Sequence, residues 1–286
     1  MNASNSSNPC PRAARLAAAL FVAVSIHAVA FAAPTTRPNV LLIFSDDLRP
    51  ELGCYGVEGI KTPNIDALAR RSVRFDRAYV QFPLCNPSRA SLLTGRYPTA
   101  TGVLDNVAFL GSRHPDWATL PAYFKQHGYT TLRTGKIFHG GYDDTDAWHE
   151  GGEPRPQGNA DRKGSSQVPG QSDRIVVLEG DGESHGDYKS GTRAIEYLRT
   201  HGKGDRPFFV ACGFSKPHSP PTAPKKFFDL YPVEKVPLPA DFAAKPTAPA
   251  GFPERSVPAR NSDLFIGRDA SEKEAREVKR AYWASV

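Results

Sequence analysis

The chain has 286 residues, 40% of them hydrophobic and 23% charged, with a net charge of +6 at neutral pH. This is an ordinary composition for a soluble protein, with ample material for one large domain or two small ones. The basic excess is modest and no nucleic-acid motif accompanies it, so scattered Lys and Arg read as a solvated surface that also suits a polyanionic substrate. From the N-terminus, Arg12 and Arg15 precede an apolar run from Leu16 to Ala33, interrupted by Ser25 and His27 and ending in Ala30-Phe31-Ala32. A basic start, a short apolar stretch and small residues at its end predict a signal peptide over residues 1–32 and export to the periplasm or medium. The run barely reaches spanning length, so no stable membrane insertion is expected after cleavage. Cleavage removes Cys10 and leaves Cys54, Cys85 and Cys212, whose spacing suggests neither a disulfide framework nor a zinc site. A Cys54–Cys212 pair has no sequence support.

Residues 33–286 read as a single domain. The apolar run from Asn39 to Phe44 has strand length and fits a strand buried on both faces of a parallel sheet. Ser45-Asp46-Asp47 follows at once. Adjacent carboxylates on a strand point to opposite faces, so both reach one ion only if the chain turns out of the strand there. Hard oxygen donors of this kind suit calcium or magnesium rather than zinc; taken alone, an acidic turn is the plainer reading. Thr62-Pro63 opens a helix through Ile65, Leu68 and Ala69, with Thr62 as N-cap. A short strand is expected around Val73 to Val80.

Cys85-Asn86-Pro87-Ser88-Arg89, followed by Leu92-Leu93-Thr94-Gly95, predicts a helix of about two turns, with Pro87 in its first turn and Gly95 just past its end. Cys85 then sits at the positive end, where backbone N–H groups favour an anion, and Arg89 follows one turn later. Beyond it, Leu120 to Gln126 reads as a helix and Tyr129 to Thr134 as a strand delivering Gly135-Lys136-Ile137-Phe138-His139. Residues 142–187, rich in Gly, Asp, Pro and Ser, read as a loop-rich surface insertion with Arg174 to Leu178 strand-like. A helix over Thr192 to His201 and a buried strand over Pro207 to Gly213 lead to Lys216-Pro217-His218. Tyr231 to Ser262 is crowded with proline and reads as an extended loop. Ser271-Glu272-Lys273-Glu274 is a capping box that starts a last helix. Alternating elements of this kind indicate an α/β protein whose mainly parallel central sheet gathers Asp46, Lys136, His218 and the Cys85 helix at its carboxyl edge.

The Cys-x-Pro-Ser-Arg block with Leu-Leu-Thr-Gly resembles the sulfatase signature at every fixed position. The resemblance runs from about Arg37 onward and is closest to the iduronate-2-sulfatase branch, through Asn39 to Asp47, Gly53-Cys54-Tyr55-Gly56, Pro63-Asn64-Ile65-Asp66, Gly135-Lys136-x-Phe138-His139, Lys216-Pro217-His218 and Tyr282-x-Ala284-Ser285-Val286. It implies the alkaline-phosphatase-like fold, represented by its N-terminal half, because family members continue past this point with a second pair of metal ligands and a sulfate-binding lysine. It also implies that a maturation enzyme oxidises Cys85 to formylglycine, whose hydrate attacks sulfur. Asp46, Asp47 and the modified Cys85 would bind a divalent cation, calcium usually and magnesium as the alternative. Arg89 would stabilise the hydrate, Lys136 and His139 would hold and deprotonate it, and His218 would contact sulfate and help the alcohol depart. The implied substrate is a sulfated oligo- or polysaccharide, with a sulfated uronic acid or related sugar suggested by the branch. Two alternatives stand beside this: a phosphonate or phosphodiester hydrolase of the same superfamily, and a non-catalytic protein that binds sulfated glycans. Asp105-Asn106 is set aside as a metal pair because of its position directly after the Cys85 helix.

Overall fold

The computed structural model describes residues 37–153, 175–244, 247–254 and 269–286. The chain divides into two compact units, Met1–Pro38 and Asn39–Val286. Only residues 37 and 38 of the first are described, so the expected signal peptide at 1–32 lies outside the described residues. No helix among the described residues is long and apolar enough to cross a membrane.

Five strands are described: β1 (Val40–Asp46), β2 (Thr130–Gly135), β3 (Val176–Leu178), β4 (Phe208–Pro217) and β5 (Thr222–Pro224). Three of them form a parallel sheet in the order β1-β4-β2, and β3 pairs with β5 in a second, small parallel sheet. The main helices are α1 (Pro63–Ala69), α2 (Cys85–Thr94), α3 (Leu120–Gln126), α4 (Gly186–His201) and α5 (Glu272–Ser285). β4 is central because it is apolar without a break: every residue from Phe208 to Gly213 is buried, as a strand covered on both faces requires. Phe209 and Ala211 pack on one face against Leu93, Tyr129, Ile137, Phe138 and Trp148. Phe208 and Val210 pack on the other with Leu132, Tyr197 and Leu198, the last two from α4.

Several expectations change. β4 extends to Pro217, so the Lys216-Pro217 pair belongs to the strand and not to a loop beyond it. α4 begins at Gly186, well before Thr192, with the His185 ring accepting the Asp187 N–H at 3.1 Å; Gly186 and Gly191 are weak helix formers that hid its first turns. No strand forms over 73–80, where Val73, Phe75 and Tyr79 are 79%, 71% and 79% exposed. Strand propensity needs a neighbouring strand to bond, and this segment has none among the described residues. Thr62 sits at the N-cap of α1 without capping it; its hydroxyl donates to Asp66 at 2.9 Å and accepts the Gly53 N–H at 3.0 Å.

The segment after Tyr142 is not peripheral at its start. Tyr142, Ala147 and Trp148 are buried, and Trp148 stacks on Phe209. Asp143, fully buried, accepts from the Trp148 indole at 3.0 Å and the Glu153 N–H at 2.7 Å and pairs with Arg133 at 3.4 Å. Burial pushes its carboxyl above the ordinary value despite the Arg133 charge. Residues 154–174, the middle of the expected insertion, lie outside the described residues. Of the proline-rich stretch, Tyr231 and Val236 pack with Ile60 and Trp283, and its part from 255 onward is not described. α5 starts as expected, with both bonds of the Ser271/Glu274 capping box present.

Candidate active site

α2 opens on Cys85 and closes on Gly95, whose φ of 67° is the left-handed conformation that glycine adopts without strain. Its start is pinned from outside. Asn86 donates through its amide to the Asp105 and Ala108 carbonyls at 2.9 and 2.7 Å, and Asn106 accepts the Asn86 N–H at 3.0 Å. Asp105-Asn106 therefore anchors the Cys85 helix. The Cys85 thiol points at Asp46, with Sγ 3.9 Å from Oδ2.

Asp46 is the last residue of β1. The ladder to β4 slips between Ser45 and Asp46, and Asp47 takes φ 60°, so the chain leaves the strand between the two carboxylates. Asp46 is buried and holds two cations: Arg89 at 2.9 Å on Oδ1 and the Lys136 ammonium on Oδ2. Arg89 also donates to the Lys136 and Ile137 carbonyls, both at 2.7 Å. Burial by itself raises the Asp46 pKa; hydrogen bonds from Lys136 and Arg89, reinforced by their charges, overcome this and hold the carboxyl below its ordinary value.

Two glycines let Lys136 reach that position. A Cβ on Gly135 (φ 69°) would lie 1.9 Å from the Gly213 carbonyl oxygen, and one on Gly213 would lie 2.0 Å from that of Lys136. The β2 and β4 backbones can therefore close to a Lys136 N–H···O=C Gly213 bond of 2.9 Å only without side chains there.

At the end of β4, the Asp187 carboxylate accepts from the Ser215 N–H and hydroxyl and from the Lys216 N–H, all at 2.8 Å. Ser45 donates to the Lys216 carbonyl at 2.7 Å, and the Lys216 ammonium donates to the carbonyls of His218 and Pro220 at 2.8 and 2.9 Å. Desolvation lowers the Lys216 pKa. These bonds deliver His218, whose Nδ1 donates to the Ser219 carbonyl at 2.6 Å and whose Nε2 lies 3.7 Å from Asp47 Oδ2. The Cys85 sulfur beside the ring, aided by the Ser219 carbonyl and Asp47, raises the His218 pKa to about 9 against an opposing desolvation.

Asp46, Cys85 and His218 bring one ligand atom each within 4.8 Å of one another. Asp47 stands outside that group, with its Oδ2 3.7 Å from His218; the two carboxylates are oxygen donors of the kind that suit calcium or magnesium, whereas the thiol and imidazole are not. A cation on Asp46 competes with Lys136 for Oδ2. His139 is placed differently. It stacks on Tyr142, with ring centroids 6.1 Å apart, and lines with Lys136, Arg133, Glu150 and Arg193 a cavity of about 920 Å³ whose walls do not include Cys85. Cys54, Cys85 and Cys212 are all free thiols.

Sequence reading missed Asp187 and Gly213. An acidic residue in the first turn of a helix and a glycine closing an apolar run are the signals that mark them.

Residues 38–284 match the Sulfatase family profile. Human iduronate 2-sulfatase is 34% identical over 279 residues, an alignment covering 88% of this chain and 49% of that protein. The chain thus spans about half the length of the curated relatives it matches. Among solved structures, phosphonate monoester hydrolase of Agrobacterium radiobacter superposes with a TM-score of 0.57 at 22% identity, over 87% of this chain and 56% of that one. A structure in complex with its substrate D-glucosamine-2-N,6-O-disulfate superposes with a TM-score of 0.51 at 26% identity, over 72% of this chain and 40% of that one. The parallel sheet with flanking helices is the alkaline-phosphatase-like architecture of these neighbours. Because the profile spans almost the whole of the second unit, the chain belongs to the sulfatase family.

Proposed function

We propose that the protein is an exported sulfuric ester hydrolase that removes sulfate from a sulfated carbohydrate, with formylglycine made from Cys85 and a divalent cation held by Asp46 and Asp47. The observation that carries this reading is the position of Cys85: first residue of α2, facing Asp46, and within 4.8 Å of His218. The name of the human relative and the disulfated sugar bound to a structural neighbour support a sulfated sugar as substrate.

A sulfate monoester is an anion, so the site must supply positive charge before a nucleophile can approach sulfur. When present, the aldehyde supplies as its hydrate the attacking oxygen, and the cation neutralises charge that develops on the sulfate oxygens. The other roles belong to side chains of this chain. The N–H groups at the start of α2 favour the anion. Lys136 adds an ammonium that a cation on Asp46 would free to meet sulfate. Arg89 spends its donors on Asp46 and the carbonyls of Lys136 and Ile137, which makes it the part that holds the carboxylate and the lysine loop in place. His218, within 4.8 Å of the position 85 side chain and 3.7 Å from Asp47, is in this reading the group that donates a proton to the departing alcohol. His139 is the base that the family resemblance implies for the release of sulfate; it lines a cavity with Lys136 whose walls do not include Cys85.

The direct test is the mass of the tryptic peptide Ala78–Arg89 from the native source. An aldehyde in place of the Cys85 thiol supports the reading; an intact thiol in a cell with active maturation machinery overturns it in favour of sulfated-glycan binding. Turnover of an aryl sulfate by the matured protein, lost on Cys85→Ala and on chelation, is the expected activity. Cleavage of an aryl phosphodiester alone would assign the phosphonate hydrolase branch instead.

A further inference from the structure

The Tyr282-x-Ala284-Ser285-Val286 phrase lies far from the nucleophile in sequence, and no role in the chemistry above uses it. Asp47 is a non-glycine residue at φ 60°, a conformation that persists only where neighbours enforce it. The Tyr282 hydroxyl supplies such an enforcement. It accepts the Arg49 N–H at 2.7 Å and donates to the Asp47 carbonyl at 3.2 Å, bridging the turn that separates the two carboxylates.

The rest of α5 is built to hold this tyrosine still. Lys279 pairs with Glu51 at 3.0 Å, both largely buried. Trp283 packs with Ile60, Tyr231 and Val236. One turn after the tyrosine bridge, the Ser285 hydroxyl accepts the Thr222 N–H at 2.9 Å, at the end of the segment that carries His218. The same helix therefore grips both chain segments whose side chains, Asp47 and His218, meet at 3.7 Å.

We infer that Tyr282 is a positioning residue for the metal-binding carboxylates: it fixes the left-handed turn at Asp47 and so sets the angle between Asp46 and Asp47, with Ser285 registering the His218 segment against the same helix. The inference rests on the reading of Asp46 and Asp47 as cation ligands.

The test compares metal-free full-length wild type, Tyr282→Phe, Asp47→Asn and Ser271→Ala by direct Ca²⁺ titration, exchange of the Arg49 amide and thermal unfolding. Tyr282→Phe keeps the ring and removes only the bridge. It is expected to weaken Ca²⁺ binding by about 3–10-fold and to speed Arg49 amide exchange by at least that factor, with little change in melting temperature. Ser271→Ala, which loosens the far end of α5, controls for a merely structural effect and should leave Ca²⁺ affinity unchanged. Tyr282→Phe with wild-type Ca²⁺ affinity, or an equal loss of affinity in Ser271→Ala, overturns the positioning role. Wild type that binds no Ca²⁺, or Asp47→Asn that binds as wild type does, overturns the ligand reading itself and the positioning role with it.

Discussion

Replacing Arg89 by alanine tests the polar centre of the site more sharply than any other change. The guanidinium is 8% exposed and the Asp46 carboxylate 6%, so solvent screens the pair little. Alanine removes one of two cations from a buried carboxylate and strands the Lys136 and Ile137 carbonyls, which accept at 2.7 Å. Breaking a buried pair from one side costs about 3–5 kcal/mol, and each orphaned acceptor about 1–3 kcal/mol. These losses overlap, so the expected net destabilisation is about 4 kcal/mol, or roughly a 10 °C fall in melting temperature for a chain of this size. The assay is equilibrium urea unfolding at neutral pH and again in acid. Asp46 has its folded pKa depressed below 3.8, so its carboxylate stabilises the fold above 3.8, and that contribution is lost as pH falls through the lower folded value. The gap between wild type and variant should therefore narrow in acid, since protonated Asp46 no longer needs the guanidinium. Asp46→Asn should show less than additive loss when combined with Arg89→Ala. A variant within about 1 kcal/mol of wild type at neutral pH, or a gap that does not change with pH, would refute the argument that Arg89 acts mainly through Asp46 and the lysine loop.

Two further results are expected. His218 should titrate near 9 by NMR in metal-free protein, against 6.5 for an ordinary imidazole, and Cys85→Ala should lower that value by removing its largest cause. Because the folded pKa is raised, the stability contributed by the protonated ring is complete below 6.5 and is lost as pH rises through about 9; a ring titrating at 6.5 in both proteins would refute the close contact of the Cys85 sulfur with the His218 ring. Gly213→Ala should destabilise the fold by about 2 kcal/mol or more and loosen Lys136 from Asp46, because its Cβ meets the Lys136 carbonyl 2.0 Å away; unchanged thermal unfolding would count against the close β2–β4 approach.

Much of the architecture is legible in the amino-acid sequence. The break-free apolar runs at 39–44 and 207–213 read as doubly buried parallel strands, and they are β1 and the core of β4. Proline and glycine bracket α2 near the residues where it starts and stops, and the Ser271 capping box marks the start of α5. These signals are local: they depend on periodicity, on the fixed φ of proline, on the left-handed tolerance of glycine and on side chains that bond their own backbone. The strand expected at 73–80 failed for the complementary reason, since its residue types suit a strand but a strand also needs a partner.

The site divides the same way. The resemblance of the Cys85 block and its companion phrases to the sulfatase pattern points to Cys85, Arg89, Asp46, Asp47, Lys136, His139 and His218, since a family pattern is carried by residue types and their order along the chain. Which of them touch was beyond the sequence. Only the fold puts Arg89 on Asp46, sends Lys136 to the opposite oxygen, sets His139 in a cavity wall apart from Cys85, and recruits Gly213, Asp187 and Tyr282. Those relations join residues dozens to hundreds of positions apart, and they exist only once the parallel sheet brings its strand ends to one edge. The sequence determined what chemistry the residues can perform; the tertiary structure decided which charge neutralises which, because Coulomb and hydrogen-bond energies depend on distance in space and not along the chain.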